Sequence, residues 1–591
     1  MRQPLRLWPG IAAAIVFVIG CVVLLALPAA ADIGLIAAGA SVFVIVVWWL
    51  FLSRAPWFER LGVVVAMLLA LVIARPFIDK SIAGGAMGAL QYALSVPVMC
   101  LALVAWAFGT RRSSDTVRRM SLPAAVLLAC AFVTVLRTDG IGGATLFQLR
   151  WRWTPTAEER LLAEVKDEPI AAAAPVAADA PRAPAITPRE EKTAAAPAAP
   201  PAAPARAPDW PGFRGPERNG VVHGVQIATD WSKSPPTELW RRRIGPGWSS
   251  FAVDGDLFYT QEQRGEDELV ACYRLSTGEP VWRHRDAVRF WESNGGAGPR
   301  GTPTLSNGRA YALGATGILN ALDARTGAVV WSHNTAADTR TEVPTWGFSS
   351  SPLIAGDIVI VATGGTLAGY DTDSGKLRWV GKDNGFSYSS PHLLKVDGIE
   401  QVLLLSSTAT SVAPADGMVL WQLASEGGGI VQPAVISDGE ILVALTGGTG
   451  GAGTRRLSVK HGQAGWSVEE RWTSTGLKPY FNDFVVHKGH ALGFDGSILA
   501  SIDLADGKRT WKGGRYGSGQ LVLLPDQDLL LVLSEEGDLA LVSATADTFT
   551  ELARAPAIQG KTWNHPVLVG DVLLVRNGEE MAAFRLPHAP R

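Results

Sequence analysis

At 591 residues the chain exceeds one ordinary domain, and a formal net charge of −2 excludes a whole-chain electrostatic case for nucleic-acid binding. Charged residues make up 18 %, against about 25 % in typical soluble domains, and the deficit sits in the first 140 residues. Three of the four cysteines, Cys21, Cys100 and Cys130, lie in apolar segments; Cys272 alone lies further on, so no disulfide framework or cysteine metal site is available to the C-terminal region.

Five apolar stretches come first, at about 11–31, 33–53, 61–79, 84–108 and 122–140. Each approaches the ~20 residues a helix needs to cross a bilayer. The alternative for the first is a cleaved signal peptide, since "LPAAA" resembles a cleavage site. Four further stretches favour a domain of about five spans over 1–140. Arg2 and Arg6, then Arg54 and Arg60, then Arg111, Arg112, Arg118 and Arg119 alternate with short loops holding only Arg75 and Lys80. That asymmetry predicts a cytoplasmic N-terminus. Five crossings then place the remainder in the periplasm of a Gram-negative inner membrane, with lipid contacting the helices. "TRRSSDTVRR" (110–119) reads as a topology signal rather than a lipid site.

Residues 141–169 form a juxtamembrane segment, in which "WRWTPTAEERLLAEVKDE" predicts an interfacial aromatic patch followed by a short helix. Residues 170–208 hold 18 Ala and 9 Pro among 39 positions and no aromatic residue. Such a stretch cannot bury enough apolar surface to fold, and its prolines favour an extended spacer.

From Asp209 to Arg591 short β-rich runs alternate with Gly, Asn and Asp turns. The stretch "LDARTGAVVW" (322–331) has four echoes. Five copies place Gly four residues before Trp: Gly278/Trp282, Gly327/Trp331, Gly375/Trp379, Gly417/Trp421 and Gly507/Trp511. Trp472 ends a degenerate copy, and Trp240 stands 42 residues before Trp282. Eight segments of small or polar residues lead into apolar strands, beginning near 248, 300, 349, 388, 430, 481, 517 and 563. Eight units in 383 residues average about 48 each, the length of a four-stranded propeller blade. The Gly serves a tight turn with positive φ. Asp323, Asp371 and Asp503 accept from nearby amides, and each Trp packs between blades. The last unit lacks a Trp strand, so "TELWRRRI" (237–244) is expected to complete it and hide both edges. The fold class is therefore an all-β, eight-bladed β-propeller behind a helical membrane domain.

The spacing in "ALDARTGAVVW" (321–331) resembles the repeat of PQQ-type quinoprotein propellers, which include PQQ-dependent dehydrogenases and the non-enzymatic assembly lipoprotein BamB. "DWPGFRGPERNG" (209–220), "LKPYFNDFV" (477–485), "WKGGRYGSGQL" (511–521), "GKTWNHP" (560–566) and "LLVRNGEEM" (573–581) look like signatures of PQQ-binding-like repeat proteins. The resemblance implies PQQ with Ca²⁺ as the possible cofactor of an enzymatic member. The Ca²⁺ ligands and the catalytic Asp of those enzymes find no residue-by-residue match.

Other motifs favour plain readings. "GTGGAG" (448–453) matches G-x-G-x-x-G without a surrounding βαβ unit and reads as a hairpin loop. His487 and His490 flank a strand turn and no metal is assigned; Cys272 reads as a small buried residue. The strand lead-ins converge on one channel mouth. They nominate Asn482, Asp483, Arg515, Tyr516, Gln520, Trp563, Asn564 and His565, with Arg300, Trp346 and Tyr388 from earlier units. The competing reading is that these groups satisfy one another. Asp483 and His565 are the acid–base candidates and Arg515 an anion anchor; Glu342 is a further carboxylate. The favoured function is non-catalytic binding or scaffolding of an envelope protein or peptide. The alternatives are a membrane-bound quinoprotein dehydrogenase passing electrons to membrane quinone, and an envelope ligand sensor.

Overall fold

A computed structural model describes residues 5–27, 31–141, 147–164, 209–424, 429, 431–447 and 450–589. Two compact units emerge, Met1–Thr154 with Glu292–Gly296, and Pro155–Trp291 with Ala297–Arg591. The Ala/Pro-rich stretch 170–208 lies outside the described residues, as do 448–449 of "GTGGAG".

In the first unit, four helices are long and apolar enough to cross a membrane: Ile33–Leu52, Trp57–Phe77, Leu90–Gly109 and Thr116–Thr134. The described part of the first helix, Trp8–Leu24, is apolar but shorter, so four segments rather than five meet the length. Two boundaries move. The predicted start at 84 falls in a short helix, Lys80–Gly84, and a 3₁₀ turn, Gly85–Gly88, where Ala86 and Met87 take positive φ. The final helix begins at Asp115, with the Ser114 hydroxyl accepting from Val117 N at 3.4 Å, and ends at Thr134. Residues Leu136–Ile141 leave it as a strand paired with Phe147–Trp151. Hydropathy marks where a helix is apolar, whereas its start depends on a cap in polar sequence.

Four of the arginines used for orientation, Arg6, Arg60, Arg118 and Arg119, are tied to neighbouring elements of this unit. Arg118 and Arg119 flank Glu59 at 2.8 and 3.1 Å. Arg60 donates to Leu50 O and Ala55 O, and Trp48 Nε1 donates to Arg6 O.

The second unit holds eight antiparallel four-stranded sheets. Seven are consecutive in sequence, with innermost strands Ala252–Asp254, Thr304–Ser306, Leu353–Ala355, His392–Val396, Ala434–Ser437, Val485–His487 and Gln520–Leu524. They are blades 1 to 7. Blade 8 takes Val567–Val569, Val572–Arg576 and Glu580–Arg585 from the C-terminus and Thr237–Arg243 as its outer strand. Trp240 stands opposite Ala583, so the ring closes between distant parts of the chain, as the isolated Trp240 predicts.

The Trp repeat locks six of the eight blades to the next. Trp240, Trp282, Trp331, Trp379, Trp472 and Trp511 donate Nε1–H to the carbonyls of Leu275, Ala324, Thr372, Pro414, Leu504 and Thr545, at 2.8 to 3.0 Å. Each acceptor belongs to the following blade. The motif Gly has a second duty there. A Cβ on Gly278, Gly375, Gly417 or Gly507 would come within 2.8 Å of the Trp240, Trp331, Trp379 or Trp472 ring. These glycines therefore serve both the turn, at φ of 71 to 73°, and the indole of the preceding blade. Trp421 departs from the pattern and donates to Gln401 Oε1 within its own blade. The next blade has longer outer strands of 13 and 10 residues, Gly450–Gly462 and Gly465–Ser474.

The predicted juxtamembrane helix exists as Ala157–Glu164, with a reciprocal cap between Thr156 and Glu159. It belongs to the propeller unit. Glu158 accepts from Gly265 N and from both Nη atoms of Arg289, each at 2.8 Å. Leu161 is buried, and Glu164 pairs with Arg243 at 2.6 Å.

Candidate functional site: the propeller channel and its mouth

In an extended chain, side chains two residues apart share a face. Each lead-in therefore presents two levels to the channel. The inner level reads Ser250, Thr302, Ser351, Ser390, Gln432, Asp483, Gln520 and His565, all buried. The outer level, two residues earlier, reads Trp248, Arg300, Ser349, Tyr388, Ile430, Phe481, Ser518 and Trp563; of these Ile430 lies outside the described residues.

The inner level is a hydrogen-bonded belt. Ser250 N donates to Thr302 Oγ1, Thr302 N to Ser351 Oγ, and Ser351 N to Ser390 Oγ, at 2.9 to 3.0 Å. With its amide correctly oriented, Gln432 accepts from Ser390 N at 3.1 Å and donates to Ser390 O at 2.9 Å. Gln432 N then donates to Asp483 Oδ1 at 3.0 Å. The Ser250 hydroxyl donates to His565 O, and Gln520 Nε2 donates to Trp563 O and Phe481 O. Asn564 Nδ2 donates to Gly247 O and Ser249 O. Blades 1 to 5 thus each hand a backbone donor to the next, and side-chain donors make the links among blades 6, 7, 8 and 1.

Below the belt the chain enters its own channel. Trp210 pairs with Val253 on blade 1, and Leu305 N on blade 2 donates to Pro211 O. Val221 pairs with Leu523 on blade 7. Between these points Arg214 and Arg218 reach opposite walls. Arg214 Nη2 donates to Phe484 O on blade 6 at 2.7 Å, and Arg218 donates to Pro352 O and Ser351 O on blade 3 at 2.8 and 3.1 Å. Both arginines hold positive φ, which folds the segment into a tight plug. Its sequence, "DWPGFRGPERNG", carried a family resemblance but no role; dense Gly and Pro around two aromatic residues was the available signal.

The nominated residues separate into three groups. Asp483, Gln520, Asn564 and His565 sit in or beside the buried belt, as does Asn482, whose Oδ1 accepts from Tyr480 N. Asp483 Oδ2 lies 3.4 Å from Arg214 Nε, and burial raises its pKa above the ordinary carboxylate value. Burial also pushes His565 down to about 3, assisted by Arg214, so its imidazole is neutral at physiological pH. Arg515 and Tyr516 lie away from the channel. Arg515 is exposed at the end of an outer strand and donates to Ser497 Oγ; Tyr516 is buried between blades 6 and 7 with its hydroxyl donating to Glu551. They end a strand rather than begin one, a distinction that sequence proximity to a lead-in does not make.

Trp563, Trp346, Tyr388 and Arg300 lie in or near the strand lead-ins, in contact with further aromatic rings. Trp563 packs on Trp248 at 4.8 Å and on Phe481 at 5.0 Å between ring centroids, and Phe481 on Tyr480 at 5.5 Å. Lys561 stands 4.4 Å over Trp563 and 5.1 Å over Trp248. Among the earlier units, Tyr388 packs on Trp346 at 5.2 Å and on Phe386 at 4.7 Å, and Arg300 lies 4.7 Å over Phe290. Trp248, Phe481, Lys561 and Phe386 join these clusters without having been nominated from the sequence, although the two-residue step from the belt reaches the first two.

The repeat region, residues 226–383 and 400–579, matches the family described as outer membrane protein assembly factor BamB. The chain belongs to the BamB family. The BamB of Yersinia pestis is 23 % identical over 355 residues, covering 57 % of this chain and 76 % of that protein. Among solved structures, BamB from Moraxella catarrhalis is similar at TM-score 0.45 and 17 % identity, over 60 % of this chain and 99 % of that one. The quinohemoprotein alcohol dehydrogenase of Comamonas testosteroni is similar at TM-score 0.46 and 14 % identity, over 66 % and 82 %.

The BamB-family channel does not fit PQQ with Ca²⁺. A Ca²⁺ site needs about six to eight oxygens. Among the described residues no cluster of three or more His, Cys, Asp or Glu side chains is placed for a metal. Asp483 is committed to Gln432 and Arg214, Glu342 lies on exposed surface, and the plug fills the channel below the belt.

Proposed function

We propose that the chain is a membrane-anchored scaffold of the bacterial envelope, with its N-terminus cytoplasmic and its propeller periplasmic. Its docking face is the aromatic mouth, and the partner is an apolar, aromatic-rich peptide segment of another envelope protein. One observation carries this reading: the belt residues from Ser250 round to Asp483 are hydrogen-bonded to one another and the plug is tied to the walls, while the rings of Trp248, Phe481 and Trp563 at the lead-ins stay half-buried. Tyr and Trp supply large contact area at small entropic cost and dominate binding hot spots. Envelope assembly in the named relatives agrees with this role.

A photo-crosslinking amino acid replacing Phe481 tests it in living cells. A discrete adduct with one envelope protein is expected, and partner affinity should fall at least about a hundredfold when Trp248 and Trp563 are changed to Ala, two hot-spot losses at ~1.4 kcal/mol or more each. A crosslinker at the exposed outer-strand residue Val330 should give none. Equal adducts at both positions would remove the mouth as the docking face. Saturable PQQ binding with Ca²⁺, seen by quinone absorbance, would move the assignment to the quinoprotein alternative.

A further inference from the structure

Where the plug meets the belt, two buried guanidinium groups lie near one carboxylate. Arg214 is 2 % and Arg218 7 % exposed, and Asp483 is 5 % exposed. The hydrogen bonds of both arginines to the ring end on neutral carbonyls: Phe484 O for Arg214, and Ser351 O and Pro352 O for Arg218. Asn219 O, from the plug itself, is another neutral acceptor for Arg214. Asp483 Oδ2, 3.4 Å from Arg214 Nε, is the charged partner. It balances one cation and leaves the second in surplus, and a buried unpaired charge is strongly unfavourable.

The same place holds orphaned donors. Arg214 Nε, Arg218 Nε and His392 Nδ1 are buried and have no hydrogen-bond partner. The positive field of both arginines bears on His392, and that of Arg214 on His565. His565 Nε2 is also without a partner. Its Nδ1 lies 2.9 Å from Pro566 O, so that nitrogen carries the proton and Nε2 is an acceptor. A water donating to Nε2 suits that side of the site, while the Nε–H groups of the arginines call for an acceptor that also brings negative charge.

We propose that the channel, at the level where the plug arginines meet the belt, binds a small monovalent anion of halide size. Arg214 Nε and Arg218 Nε are its principal donors, and a water bridges it to His565. The anion completes the buried charge balance and pins the plug between blades 3 and 6. Asp483 opposes it electrostatically, so neutralising that carboxylate strengthens binding. The proposal is independent of what docks at the mouth.

Thermal unfolding of the detergent-solubilised full chain, in chloride, bromide or gluconate at fixed ionic strength, tests it. Tm should rise with halide concentration and stay lower in gluconate, since a ligand of the folded state stabilises by mass action. Asp483→Asn, whose side-chain oxygen still accepts from Gln432, should tighten the apparent halide affinity at least about tenfold. Arg218→Met should abolish the halide increment; should it fail to fold, the Asp483→Asn comparison decides. Crystals grown in bromide should show an anomalous peak between Arg214 Nε and Arg218 Nε. A Tm indifferent to halide in the native chain, or water alone at that position, overturns the proposal.

Discussion

The motif Gly and the Trp of the preceding blade form one lock, and this makes residue-scale predictions separable. Gly356 and Gly375 both have positive φ, 61° and 71°. A Cβ at Gly356 meets nothing within 4 Å, whereas at Gly375 it lies 2.6 Å from the Trp331 ring. Gly356→Ala should cost about 1–2 kcal/mol for the left-handed backbone alone. Gly375→Ala should cost about 1–3 kcal/mol more for overpacking, and Trp331→Ala about 3–5 kcal/mol. Chemical denaturation of the three variants tests that order. Acid sensitivity is also a residue property. His392 and His565 are depressed to about 3 by burial and neighbouring guanidinium charge. A depressed imidazole contributes full stability above its unfolded pKa of ~6.5 and loses it as pH falls toward 3. Each should remove about 2 kcal/mol between pH 7.5 and pH 5. Replacing both with Asn should flatten that part of the stability–pH curve; an unchanged slope would assign the acid loss to other groups.

At the scale of elements, Thr237–Arg243 and Ala157–Glu164 behave differently from their places in the sequence. The strand lies at the start of the propeller region yet closes its last blade. Deleting 209–245 should therefore lower Tm far more than deleting 172–206. The helix precedes the Ala/Pro-rich stretch yet is held on blade 1 by Glu158 and Arg289. Both Glu164 and Asp209 then contact the propeller, through Arg243 and Gly255 N. A protease site placed within 170–208 should be cleavable without releasing the propeller from membranes, because the fragment ending after Glu164 remains docked. Sedimentation with membranes reads the result. Release in the native chain would show that the helix contact is too weak to hold; Glu158→Ala should permit release.

For the whole molecule, the arginine asymmetry, with Arg6, Arg60, Arg118 and Arg119 tied into the helical unit, supports the proposed orientation. A phosphatase reporter fused after residue 205 should be active, and one fused within 111–119 inactive. The reverse pattern would invert the topology.

The architecture was legible because its signals are local and repeated. Gly and Trp four residues apart, at about one blade's spacing, carry turn and packing together, and an unmatched Trp240 marks ring closure. Periodicity also puts Trp563, Arg300 and Tyr388 at the same lead-in position. The plug was not legible, because Arg214 and Arg218 look like surface residues in sequence. Only the tertiary structure surrounds them with carbonyls from blades 3 and 6, hundreds of angstroms of extended chain apart by about 3.3 Å per residue. The same holds for Asp483 and His565, whose neighbours are other blades' backbone groups. It holds for Arg515 and Tyr516, which the end of a strand carries away from the channel. Local chemistry is written in adjacent residues and survives as pattern; the solvation and partners of a polar side chain are set by distant chain, and only the closed ring decides them.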